Sequence, residues 1–157
     1  MIENRFGFFI EYDILMNEVI CMCYFLYGAI NNGINISDYE EAVKDYEYDF
    51  KIGKPQDVND CVEKCVGNYR ITRGPCDCKT ALGGEDPNRP EIAQFCEMLL
   101  KLQQVRGIKH ILLSKNWWEE TNLTEKTTHI NAVDMPAFLA NMKDRCLYKI
   151  ELYPWHY

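Results

Sequence analysis

The chain has 157 residues and a mass of 18.5 kDa, and 47% of it is hydrophobic, 13% aromatic and 26% charged. A chain of this length buries roughly 70% of the surface its unfolded form exposes, and this composition excludes disordered, collagen-like and coiled-coil classes. The formal net charge of −7 is uneven, because residues 1–50 hold ten acids against two bases and residues 51–157 hold fourteen acids and fifteen bases.

No cluster of Lys and Arg is present to replace phosphate counterions, so direct nucleic-acid binding is not expected. An acidic front half steers basic surfaces toward itself instead. Met1–Glu3 is acidic and Arg5 stands alone before Phe6, which is not the pattern of a secretory signal. The longest apolar stretch, Val19 to Ile30, falls well short of the roughly 20 residues of a spanning helix. The expected setting is therefore cytoplasmic, with no membrane partner. In that setting eight cysteines serve as free thiols or metal ligands in place of disulfides.

In chain order, the aromatic run FGFFIEY predicts a strand near 6–12. Leu15, Val19, Met22 and Leu26, with a second row at Met16, Ile20, Cys23 and Tyr27, predict a broadly buried helix over 13–31. Ser37, followed three residues later by Glu40, has the spacing of a capping box and predicts a helix over 38–50. Val58, Val62, Cys65 and Val66 return to one face of a helix over 57–66. A long Gly-, Pro- and Asp-rich loop follows. Ile92, Phe95, Cys96, Leu99, Leu100 and Leu102 then mark a helix over 91–106, with Gly107 placed for a left-handed turn.

Strands are expected near 108–118 and 127–133. Asp134 and Pro136 open a helix over 135–144, and the alternation of CLYKIELY predicts a last strand at 146–153. This order predicts a single α+β domain over 1–157, with helices packed on a small sheet.

Three groups of residues bear on chemistry. Cys61 and Cys65, four apart, share a face of the 57–66 helix, and Cys76 and Cys78 follow shortly. Four thiolates at about 2.3 Å would close a tetrahedral zinc site. The same thiols could pack as small apolar groups or form a disulfide. Cys21 and Cys23, two apart on the expected 13–31 helix, would stand about 200° apart and could not share a metal.

A second group is Cys76, His129 and Asp134, the parts of a thiol nucleophile with its base and orienter. Nothing in their spacing brings them together, so no catalytic residue is assigned and the chain is read as non-catalytic, a small cysteine-dependent enzyme being the further alternative. Gly74, Gly83 and Gly84 are not followed by the Gly-Lys-Ser or Gly-Lys-Thr triplet of a phosphate loop.

The third group is the 38–50 segment. Asp38, Tyr39, Glu40, Glu41, Asp45, Tyr46, Glu47 and Asp49 place carboxylates beside aromatics with only Lys44 in opposition. A solvated face with its tyrosines turned inward accounts for this pattern. So does a surface for a basic protein partner, as in an acidic inhibitor or immunity-type protein. The sequence therefore leads to a non-catalytic protein-binding domain, with a zinc-stabilised module on Cys61, Cys65, Cys76 and Cys78 as the alternative.

Overall fold

The computed structural model describes residues 23–53, 69–117, 123–129 and 133–151. The expected strand at 6–12 and helix at 57–66 lie outside these residues, as do Cys21, Cys61, Cys65 and Trp118.

The elements run β1 (Tyr24–Ile30), α1 (Ile36–Val43), β2 (Lys51–Ile52), α2 (Pro90–Leu102), β3 (His110–Trp117), β4 (Thr124–His129), α3 (Met135–Ala140) and β5 (Cys146–Glu151). They build one mixed sheet of strand order β2-β1-β3-β5-β4. β3 is the central strand and runs antiparallel to β1 and β5, while β2 is parallel to β1 and β4 parallel to β5. Each parallel pair is joined through a helix, α1 for the first and α3 for the second, as parallel neighbours require. The α+β class expected from the sequence is the one observed.

Alternate residues of the three long central strands share a core with all three helices. Leu26 and Ile30 of β1, Ile111 and Leu113 of β3, and Tyr148 and Ile150 of β5 meet Tyr39, Ile92, Phe95, Leu99, Leu102 and Leu139. The opposite face is buried too, around Phe25, Tyr27, Ala29, Leu112 and Leu147. α2 supplies the largest helical share, with Ile92, Phe95, Met98, Leu99 and Leu102 fully buried. Each such side chain contributes about 1.5–3 kcal/mol of transfer free energy. Pro90 pre-sets the first turn of α2, and Glu91 and Lys101 lie at the ends that suit the helix dipole.

Several sequence expectations need correction. The helix over 13–31 is a strand from Tyr24 onward. Because β1 is buried on both faces, it reads as a continuous apolar run, and any such run contains rows at four-residue spacing. Gly28 marks its close packing, since a Cβ there would lie 2.8 Å from the Phe50 ring and 2.9 Å from Ile71.

The helix over 38–50 begins two residues earlier and stops at Val43. Asn35, not Ser37, is its cap, with Oδ1 accepting the Asp38 N–H at 3.3 Å. Beyond the helix, Tyr48 and Phe50 turn into the core while Glu47 and Asp49 stay exposed, an alternation that leads directly into β2.

The helix over 135–144 ends at Ala140, where the Asn141 side chain donates back to the Ala137 carbonyl at 2.8 Å. Finally, the strand expected at 127–133 starts three residues earlier, at Thr124.

α2 spans 90–102 and passes into turns that end at Gly107, with φ +96°. A Cβ at Gly107 would meet the Gly33 carbonyl at 2.6 Å, so only glycine fits. β3 and β5 lie within the strands expected for them.

Candidate functional site

β1 needs hydrogen-bond partners along its outer edge, because β2 covers only Ala29 and Ile30. Segment 69–78 supplies them. The Gly28 N–H donates to Tyr69 O at 2.8 Å, the Ile71 N–H to Leu26 O at 3.0 Å and the Asp77 N–H to Tyr24 O at 2.9 Å. The Asp77 carboxylate, 8% exposed, accepts the Leu26 N–H at 2.8 Å and the Thr72 hydroxyl at 2.6 Å. Arg70 closes on the same carboxylate at 3.4 Å and lies over the Phe25 ring, 4.5 Å from its centroid.

With Asp77 turned into the protein, the cysteines on either side of it turn the other way. Cys76 and Cys78 meet Cys23, the residue just before β1, and the three sulfurs lie within 4.8 Å of one another. Cys23 and Cys76 are half-buried and Cys78 is exposed. The Tyr24 N–H donates to Cys78 Sγ at 3.3 Å.

Cys23 and Cys76 are shifted in opposite directions. Burial, followed by the neighbouring Cys76 and Cys78 thiols, pushes Cys23 up to about 11. Cys76 is lowered, first by the Cys78 N–H and then by the Cys78 thiol, both donating to it.

The sequence placed Cys76 and Cys78 in a metal-binding set and left Cys23 out. Their expected partners Cys61 and Cys65 lie outside the described residues. Cys23 escaped because reading residues 13–31 as a helix separates it from any loop, and its approach to Cys76 depends on the pairing of β1 with residues 69–78. Cys96 and Cys146 belong to no group of metal-ligating side chains among the described residues. Burial raises Cys96 to about 11.

Cys76, His129 and Asp134 are not brought together. Cys76 sits at the Tyr24 end of β1, which pairs with Trp117. His129 pairs with Glu151, and Glu151 with His110. His129 is therefore on the far edge strand and at the opposite end of the sheet.

The acidic segment divides by orientation. Asp38, Glu40, Glu41, Asp45, Glu47 and Asp49 are exposed. Tyr39 is in the core, 4% exposed, and its hydroxyl donates to Phe50 O at 3.0 Å. It is no surface anchor, which corrects its place among the partner-contacting residues. Tyr46 stays half-buried at the surface, with Lys101 Nζ 4.9 Å from its ring centroid.

Three carboxylates have a lysine nearby: Glu41 pairs with Lys44 at 2.6 Å, Asp45 with Lys101 at 3.9 Å and Asp49 with Lys51 at 4.0 Å. Asp45 and Glu47 come together with Glu91 and Glu97 of α2 around a groove of about 500 Å³, where Lys101 is the opposing charge. Glu91 is internally committed, accepting from Tyr48 and Thr80 hydroxyls at 3.0 Å and the Ala81 N–H at 2.8 Å, with Arg89 at 3.7 Å. Glu97 is open to solvent and touches only Lys101, at 3.8 Å, among the ion pairs of the described residues. Neither α2 acid was identifiable from the sequence as part of this surface, because the groove forms only when α2 packs beside the 45–48 turn.

No helix among the described residues is long and apolar enough to cross a membrane. No family model matches the chain, and no curated protein or solved structure matches it either.

Proposed function

We propose that the domain is a protein-binding module that takes a cationic segment of its partner into the groove between the 45–48 turn and α2. The observation that carries this reading is the convergence of Asp45, Glu47 and Glu97, with the internally bonded Glu91 among them, from two distant stretches of sequence around one open groove lined, among the described residues, by a single lysine. Half-buried Tyr46 lines the same groove. Its ring offers an apolar, electron-rich face on which a guanidinium can stack, within an acidic rim. Such a surface accelerates encounter with a basic partner and discriminates by charge, an effect that weakens with salt.

The test uses an oligoarginine peptide as the probe and fluorescence anisotropy as the readout, at low and high salt. Joint reversal of Glu47→Lys and Glu97→Lys is expected to weaken binding about tenfold or more at low salt and to flatten its salt dependence. Reversal of exposed Glu85→Lys, in the loop before α2, is expected to change binding less than twofold. Equal losses from both, or no binding by the unaltered chain, defeat the assignment of the groove.

A further inference from the structure

We propose that Cys23, Cys76 and Cys78 form a binding site for a thiophilic divalent cation, zinc in particular, which ties the 72–78 loop to the start of β1. Three sulfurs from two separate stretches of chain lie within 4.8 Å of one another. A zinc ion about 2.3 Å from each sulfur of a tetrahedral site sets them about 3.8 Å apart, so closure asks for inward movements of about 1 Å or less. Cys76 and Cys78 flank backbone that is already fixed, and Cys23 adjoins the first residue of β1. Asp77, between two of them, is held by Leu26, Thr72 and Arg70 and by its own N–H on Tyr24.

The surroundings suit thiolates. The Tyr24 N–H already points at Cys78 Sγ, and N–H groups aimed at sulfur stabilise the negative charge that a metal–thiolate centre carries. The Cys78 N–H is also aimed at the Cys76 sulfur. The Asp77 carboxylate, although adjacent, faces inward and is occupied, so it is not counted as a ligand. Binding exchanges up to three thiol protons for one cation, with no change of oxidation state. The coordination position left beyond the three sulfurs is open to water or another donor.

The experiment titrates the reduced, metal-free full chain with Co²⁺, then displaces it with Zn²⁺. One Co²⁺ per chain, giving sulfur-to-cobalt charge-transfer absorption that zinc abolishes, is expected. Cys23→Ser, Cys76→Ser and Cys78→Ser are each expected to weaken binding about a hundredfold, and Cys96→Ser to leave it unchanged.

Because a serine variant could fail to fold, alkylation of the unaltered chain with and without Zn²⁺ is mapped in parallel by mass spectrometry. Cys23, Cys76 and Cys78 are expected to be protected about tenfold or more, and Cys96 equally reactive in both. Protection of one further cysteine alongside the three also supports the site and identifies its closing ligand. Absence of the charge-transfer band, protection confined to other cysteines, or a disulfide within the trio in a chain that takes up no metal after reduction would each overturn the proposal. None of these outcomes touches the acidic groove, so the two readings stand or fall separately.

Discussion

The carboxylate of Asp77 accepts the backbone N–H of Leu26 at 2.8 Å, a side chain filling the place that a neighbouring strand would occupy on the edge of β1. The same carboxylate holds the Thr72 hydroxyl and the Arg70 guanidinium. Asp77→Ala leaves a buried N–H and a largely buried Arg70 without their acceptor. It is expected to cost about 2–4 kcal/mol in denaturant unfolding. Asp77→Asn keeps one carbonyl oxygen for the Leu26 N–H and is expected to lose less than half as much. Equal losses from the two would show that the charge, not the strand-edge bond, is what matters.

Gly28 tests how tightly segment 69–71 and Phe50 close on β1. An alanine Cβ would sit 2.8 Å from the Phe50 ring, and relief requires the ring to move within a full core. Gly28→Ala is expected to destabilise by about 1–3 kcal/mol. In the background of Phe50→Leu the added penalty is expected to fall below about 1 kcal/mol. A double-mutant cycle by urea unfolding measures the coupling, and strict additivity would place the strain elsewhere.

These two residues also show where the sequence was readable. α2 and β5 were legible because each has one face toward the core: Ile92, Phe95, Leu99 and Leu102 keep helical spacing, and Tyr148 and Ile150 alternate with Lys149 and Glu151. β1 was not, because a strand buried on both faces loses its alternation, and its aromatic residues, with Gly28 among them, were the remaining β signal. The alternation Tyr46-Glu47-Tyr48-Asp49-Phe50 was visible as extended chain, but the acid-rich helix start ahead of it dominated the reading. The thiol trio was half legible. Cys76 and Cys78 advertise themselves by spacing, whereas Cys23 joins them only through strand-edge hydrogen bonds between residues some fifty apart in sequence, as in the Leu26–Asp77 bond.

Among the described residues that line the acidic groove, Lys101 is the one cation, set between Asp45 and Glu97 and over the Tyr46 ring. Its ion pairs are exposed, so Lys101→Ala is expected to change stability by no more than about 0.5 kcal/mol. Removing it frees two carboxylates and the ring face. Binding of the oligoarginine probe is expected to tighten about two- to fivefold at low salt, by anisotropy. Weaker binding would mean that Lys101 orders the groove instead of competing within it.

The buried tyrosines set the alkaline limit of the fold. Burial raises Tyr27 to about 12, and Tyr39 and Tyr48 are raised further, by burial first and then by Asp49 and Glu91 respectively. In the unfolded chain these phenols ionise near pH 10. Above that pH the unfolded state releases protons that the folded state retains, so stability is intact below about pH 10 and falls as pH rises toward the folded values. The share of tyrosinate absorbance due to Tyr27, Tyr39 and Tyr48 is expected to appear in a cooperative step that coincides with loss of the far-ultraviolet dichroism signal, not ahead of it. Tyr48→Phe removes one of these ionisations along with its bond to Glu91. It is therefore expected to lower stability at neutral pH by about 1 kcal/mol and to flatten the decline above pH 10. If these phenols titrate before the structure is lost, Tyr39 and Tyr48 are not enclosed by the core around Phe95 and Leu99, nor Tyr27 by the packing on the opposite face of the sheet.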